Sequence, residues 1–164
     1  MMPVEIERKF LVETSGWRQG AGVRICQGYL NRDPQRTVRV RLAGNKAFLT
    51  IKGPSTGAVR REFEYEIPVL HAAALFELCD GPVIEKIRYL VPSGSLVWEV
   101  DEFLGENHGL VLAEIELESE DQAFERPPWL GREVTHDPRY FNANLCTHPF
   151  SHWEEVGPHR KAPV

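Results

Sequence analysis

No apolar run in this chain approaches the ~20 residues that a membrane-crossing helix needs, so helical insertion is excluded. Positive charge is not in surplus either: 19 Lys and Arg face 24 Asp and Glu, a formal net charge of -5. That balance argues against general nucleic-acid binding and supplies no basic face for a membrane surface. Cysteine is scarce. Cys26, Cys79 and Cys146 are an odd set with no Cys-x-x-Cys, which predicts reduced thiols in a cytoplasmic setting over a disulfide or zinc site. The six histidines include no His-Glu-x-x-His, so a histidine metal site is set aside. The first residues carry no basic-then-apolar export signal, and no internal repeat or low-complexity stretch occurs. What remains is ordinary soluble composition: 164 residues, 42% apolar and 26% charged, enough for one domain with an enclosed core.

Within that composition the charges are ordered. Val4 to Val12 alternates with period two, so Glu5, Glu7 and Lys9 share one face while Val4, Ile6 and Phe10 take the other. The same alternation returns along the chain. Arg39 and Arg41 alternate with Val38, Val40 and Leu42, and Lys52 lies opposite Leu49 and Ile51. Glu62 and Glu64 alternate with Phe63 and Tyr65, Lys86 and Arg88 with Ile87 and Tyr89. Glu99 and Asp101 flank Val100, and Glu114 and Glu116 flank Ile115. Each run is a strand signature, and neighbours within a strand mostly share a sign.

Eight strands are predicted, at about 3–12, 24–32, 37–42, 46–53, 60–67, 82–91, 95–102 and 110–118. Short turns such as Gly44-Asn45 and Pro92-Ser93-Gly94-Ser95 favour antiparallel neighbours. A helix is expected over 70–78, with Leu70, Ala73, Ala74, Phe76 and Leu78 near one stripe. A second short helix is expected to begin at Ser119, and a third at Asp137-Pro138, running through Leu145. Trp129 and Trp153 are expected to dock the tail, Trp98 and Phe103 to pack outside the strands, and Arg8 to face outward in an ion pair. The reading is mainly β: an eight-stranded antiparallel barrel with a few flanking helices. Residues 1–150 form the domain and 151–164 a polar tail.

The choice of inside face decides the chemistry. Like charges two apart on a strand repel, far more in an enclosure than in water. A fold keeps such pairs when something of opposite charge lies between them. The charged faces are therefore placed inward, lining a tunnel, and the apolar exterior is left to helices, loops and a possible homodimer. Lys9, Arg39, Arg41, Lys52, Lys86 and Arg88 could clamp several phosphates. Glu5, Glu7, Glu62, Glu64, Glu114 and Glu116 could hold hard cations such as Mg²⁺ or Mn²⁺, and Asp101 could join the acids. A triphosphate with its metal neutralises both sets, and phosphoryl transfer needs little more than positioning, charge neutralisation and an aligned water.

Glu5-x-Glu7-x-Lys9, Arg39-x-Arg41, Lys52, Glu62-x-Glu64, Lys86-x-Arg88 and Glu114-x-Glu116, in that order, resemble the CYTH domain, or triphosphate tunnel metalloenzyme, superfamily. The likeness runs from Val4 to Phe150 and includes Arg139-Tyr140-x-Asn142. It implies a tunnel binding a small-molecule triphosphate with a divalent metal, and the short bacterial form is most similar to the inorganic triphosphatases. By the same likeness Lys9, Arg39, Arg41, Lys52 and Arg88 look like phosphate ligands and Glu5, Glu7, Glu114 and Glu116 like metal ligands, with Glu62 and Glu64 contributing. The general base stays open between Glu7 and Lys86, with Tyr29 as a companion to Lys86. Arg139 and Tyr140 are candidates for closing one tunnel mouth, and either Arg60 or Arg61 for reaching it. An adenylate cyclase of class IV type, a thiamine triphosphatase and a non-catalytic polyphosphate-binding module are the competing readings.

Overall fold

In a computed structural model, residues 2–153 are described. Nine strands run in chain order as β1 (Val4–Val12), β2 (Val23–Asn31), β3 (Thr37–Ala43), β4 (Lys46–Thr56), β5 (Val59–Ile67), β6 (Ile84–Ser93), β7 (Leu96–Phe103), β8 (Val111–Glu116) and β9 (Leu130–Glu133). Helix α1 (Val69–Phe76) lies between β5 and β6, and α2 (Asn142–Leu145) lies near the C-terminus. No helix among the described residues is long and apolar enough to cross a membrane.

All pairings are antiparallel, in the order β5-β4-β3-β2-β6-β7-β8-β1, and β1 returns to β5 to close an eight-stranded barrel. The turns follow from sequence. Gly44 and Gly94 each open a two-residue hairpin with φ near 60°, and among the described residues no non-glycine has positive φ. That is type II′ chemistry, which needs glycine first and matches strand twist. Closure uses β1 twice over. One edge pairs with β8 through Glu7↔Glu116 to Leu11↔Leu112. The other meets β5 at residues 4–6, then passes to β9, where Phe10 pairs with Glu133 and Val12 with Leu130.

Strand β9 was not expected; its four residues, Leu-Gly-Arg-Glu, carry no alternation. The expected helix at Ser119 is a turn instead. There Ser119 Oγ donates to Asp121 and the Glu118 amide donates to the Gln122 side chain, side-chain bonds that compete with a helical backbone. The expected helix from Asp137 is split. Asp137 caps a 3₁₀ turn over Pro138–Tyr140, but Phe141 is extended (φ -70°, ψ 130°), and α2 starts only after it. Helix α1 presents Ala72, Leu75 and Phe76 to Val40 and Ala47, not the stripe through Leu70 and Leu78, both of which are exposed.

Apolar strand faces point out and are covered unevenly. Trp98 is sealed by Phe10, Phe124 and Trp129, with ring centroids 5.6–5.7 Å apart in edge-to-face pairs. The segment after β9 packs Tyr140, Leu145, Phe150 and Trp153 against Ile84, Phe103 and Leu112 at one end of the barrel. Phe103 thus belongs to this end layer; its strand parity is that of Glu99 and Asp101, not of Trp98. Arg8 faces outward and pairs with Glu133 on β9 at 2.6 Å. The outer face of β4 and β5 stays open, with Tyr65 and Ile51 exposed. Residues 154–164 of the expected polar tail lie outside the described residues.

Candidate active site

Because successive side chains alternate, the inner faces of the strands deliver their charges to one cavity of about 620 Å³. Glu5, Glu7 and Lys9 enter from β1, Tyr29 from β2, Arg39 and Arg41 from β3 and Lys52 from β4. Glu62 and Glu64 enter from β5, Lys86 and Arg88 from β6, Glu114 and Glu116 from β8. Every catalytic, phosphate-binding and metal-ligand candidate expected from sequence lines this cavity except Asp101, which is 1% exposed and lies behind Arg88.

Cross-strand register explains how the charges meet. Arg88 stands opposite Asp101 and binds it through two bonds, Nε–Oδ1 at 2.8 Å and Nη2–Oδ2 at 2.9 Å; its third nitrogen reaches Glu99 at 2.9 Å. Lys86 Nζ lies 2.7 Å from the other face of this pair, at Asp101 Oδ2. Asp101 is thereby fully engaged by two cations, which removes it from the metal-ligand set. Lys52 bridges Glu5 at 2.9 Å and Glu62 at 3.2 Å. Glu64 accepts from Thr50 at 3.0 Å and Arg41 at 3.2 Å, and Arg39 lies 3.7 Å away. Two pairs are of like sign: Glu7 opposes Glu116 and Glu99 opposes Glu114, an arrangement that is destabilising by itself.

Desolvation, then the charges of Glu114 and Glu5 and a hydrogen bond to Glu114, push the Glu7 carboxyl well above the usual range. Burial alone would raise Glu114 too, but Lys9, that hydrogen bond, Lys86 and Arg88 draw it far down. Burial and a hydrogen bond to Glu5 lift Glu62 to about 7. Burial pulls Lys86 down to about 8, against the attraction of Asp101. Lys52 moves the other way: burial would lower it, but Glu5 and Glu7 hold it charged.

Three guanidinium nitrogens, Arg32 Nε, Arg39 Nε and Arg41 Nε, are buried without a hydrogen-bond partner, and the last two form a pair on β3. Buried donors are nearly always satisfied, so this pair on one strand face fits a multi-oxygen anion. The acids fit a hard cation by donor type, since Glu5, Glu7, Glu114 and Glu116 offer only carboxylate oxygens. Among the described residues no three acidic, histidine or cysteine side chains already converge as a metal cluster.

Other expectations resolve differently. Tyr29 stands opposite Arg39, while Lys86 takes Asp101 and Asn142 as partners, so the expected Tyr29–Lys86 pairing is absent. Arg60, not Arg61, reaches the cavity, with Nη2 3.2 Å from Thr37. Arg139 is spent on Asp137 at 2.6 Å, and Tyr140 is buried; the cavity wall there is Phe141 to Asn144. Sequence reading also missed Gln27 and Asn142, neutral residues that no charge pattern marks. The visible signals were the parity of Gln27 with Tyr29 and the Asn142 of the C-terminal motif.

A closed antiparallel barrel whose lumen carries segregated cations and carboxylates has the donor types that bind polyanions and hard cations. A model of the CYTH domain matches residues 3–148, and the chain belongs to that family. An inorganic triphosphatase of Acetivibrio thermocellus is 52% identical over 156 residues, covering 94% of this chain and 100% of that protein. An inorganic triphosphatase of Nitrosomonas europaea is 42% identical over 147 residues, covering 87% and 96%. The crystal structure of an inorganic triphosphatase superposes with a TM-score of 0.61 at 39% identity, covering 87% of this chain and 93% of that one.

Proposed function

We propose that this chain hydrolyses inorganic tripolyphosphate to pyrophosphate and phosphate inside the barrel, with Mg²⁺ or Mn²⁺. The observation that carries the reading is the unpartnered pair Arg39 Nε and Arg41 Nε in a lumen that also holds Lys9, Lys52 and Arg88. These five side chains bind the phosphate oxygens, Arg through its planar fork. Glu5, Glu7, Glu114 and Glu116 would hold the cation, with Glu62 and Glu64 beside them. When bound, the cation neutralises phosphate oxygens and lowers the pKa of water.

In the chemical step a water oxygen bonds to the terminal phosphorus as its bond to the bridging oxygen breaks. Pyrophosphate leaves, and the proton lost by water passes to a base. Lys86, drawn down to about 8 by burial, suits that role near neutral pH. Glu7, pushed up by burial and by Glu114 and Glu5, would be among the carboxylates that hold the cation.

The relatives named as inorganic triphosphatases favour this substrate over ATP or thiamine triphosphate. Released phosphate should be measured with tripolyphosphate, ATP and thiamine triphosphate in parallel, each with Mg²⁺ and Mn²⁺. Fastest turnover of tripolyphosphate is the expected result. Cyclic AMP with pyrophosphate from ATP, or tight binding with no release, would replace the reading. A homodimer through the open face at Ile51 and Tyr65 also belongs to the proposal, and sedimentation velocity measures it. The reduced Cys26, Cys79 and Cys146 suit a cytoplasmic setting.

A further inference from the structure

Lys86 is a cation on a four-carbon stem, and its nitrogen can sit in many places unless it is held. Two acceptors hold it. Asp101 Oδ2 is 2.7 Å from Nζ, and Asn142 Oδ1, at the start of α2, is 3.1 Å away. We propose that Asn142 is a positioning residue for triphosphate hydrolysis: its side-chain carbonyl fixes the Lys86 nitrogen at the cavity wall, and Gln27 fixes the amide. The inference rests on the triphosphatase reading for its kinetic consequence, not for its geometry.

A charged lysine nitrogen can only donate, and Lys86 Nζ meets the amide oxygen of Asn142, not its NH₂ group. The same oxygen accepts from Gln27 Nε2 at 3.0 Å, using its second lone pair. Gln27 is 0% exposed, and turning its NH₂ toward Asn142 leaves its own Oε1 buried with no partner. An unsatisfied buried acceptor is a cost that folds avoid. Here it is tolerated by a residue whose bond sets the orientation of Asn142.

The consequence falls on Lys86. With two of its tetrahedral directions committed to Asp101 and Asn142, the remaining direction of the neutral amine is its lone pair. Lys86 is 1% exposed, lines the cavity and has its nitrogen 5.4 Å from the Phe103 ring, so the two acceptors restrict where that lone pair can point. Asp101 alone would leave the nitrogen free to swing about one contact. The segment also pins Lys9, whose Nζ donates to the Tyr140 carbonyl at 3.1 Å, but a backbone acceptor is not open to substitution.

The charged groups that act on Lys86 are Asp101 on β7, Arg88 on its own strand and Glu114 on β8. Lys9 on β1 lies 3.8 Å from the same Glu114. β2 and α2 contribute the neutral Gln27 and Asn142. An added carboxylate at position 142 therefore has a predictable sign.

The test uses the full chain and two variants. Asn142→Leu should lower kcat for tripolyphosphate by about 10²-fold, a typical loss for a misplaced catalytic group, with KM little changed. Asn142→Asp keeps an acceptor in place, so it should restore kcat at high pH. It should also shift the limb of the pH–kcat profile governed by Lys86 upward by about one unit, the effect of a new opposite charge at contact distance. An Asn142→Asp profile superimposed on the parent, or an unchanged kcat in Asn142→Leu, overturns the proposal. Should Asn142→Leu not fold, the Asn142→Asp profile decides alone. The Lys86 side-chain titration, followed by NMR in lysine-labelled protein, is read alongside. If the parent turns over no tripolyphosphate, the functional reading fails separately, and an upward NMR shift in Asn142→Asp still supports the contact while no shift refutes it.

Discussion

Asp101→Asn is the most revealing single substitution. The carboxylate is 1% exposed and faces two cations, Arg88 through paired bonds and Lys86 at 2.7 Å. Removing its charge leaves two buried cations facing each other across a neutral amide. Breaking a buried ion pair by deleting one partner costs about 3–5 kcal/mol. The amide oxygen can still accept one bond, so Asp101→Asn belongs near the lower figure and Asp101→Ala near the upper. At roughly 2–4 °C per kcal/mol for a domain of this size, Tm should fall by about 10 °C. Losing Asp101 also removes the main attraction that keeps Lys86 protonated, so the Lys86 limb of the pH–activity profile should move down. That is opposite to the shift expected of Asn142→Asp. Thermal unfolding with and without tripolyphosphate and Mg²⁺ reads the first effect. The polyanion should recover part of the lost Tm by mass action. A Tm within one or two degrees of the parent, with an unmoved limb, would refute the assignment of Asp101 as the shared counter-ion.

Lys9→Ala and Glu5→Ala should each abolish phosphate release while circular dichroism and Tm report an intact barrel; extra Mg²⁺ should help the Glu5 variant at most in part. Wild-type rates in either would remove that residue from its assigned role. EDTA should stop turnover and excess Mg²⁺ or Mn²⁺ restore it, whereas full-rate turnover in the chelator excludes the cation. Stability of the ligand-free protein should depend on pH with a worked sign. Glu62 has a folded pKa raised from 4.5 to about 7, so the folded state binds more protons than the unfolded one between those values. Stability from this group is present below about 4.5 and lost as pH rises through 7, and Glu7 acts in the same direction. Tm should therefore fall from pH 5 to pH 7.5 without ligand, and a rise across that window would contradict the raised carboxyls.

The barrel and its inward charges were readable because a strand repeats every two residues. Glu5, Arg39, Lys86 and Glu116 needed only parity to reach the same lumen. Depth was not readable. Asp101 has the same parity as Glu99, yet register places it flat against Arg88 and out of the cavity, and register depends on which strands pair. β9 escaped notice because its pairing comes from the edge of β1 that β5 leaves free beyond Ile6. The break before α2 was hidden because Asp137-Pro138 is a sound helix start; one extended residue, Phe141, ends it. Gln27 and Asn142 were missed for a simpler reason: a charge pattern says nothing about neutral amides that hold a charge in place.

The doubly shared edge of β1 sets an order of assembly. β1 bonds to β5, β8 and β9, and its Arg8 meets Glu133 across a separation of 125 residues. Such distant partners make closure slow compared with the local hairpins β3–β4 and β6–β7. β1 takes its partners from three separate parts of the chain, so its pairing completes only when all three are in place. Glu5, Glu7 and Lys9 ride on that strand, so the catalytic lumen comes into being only when the last seam shuts.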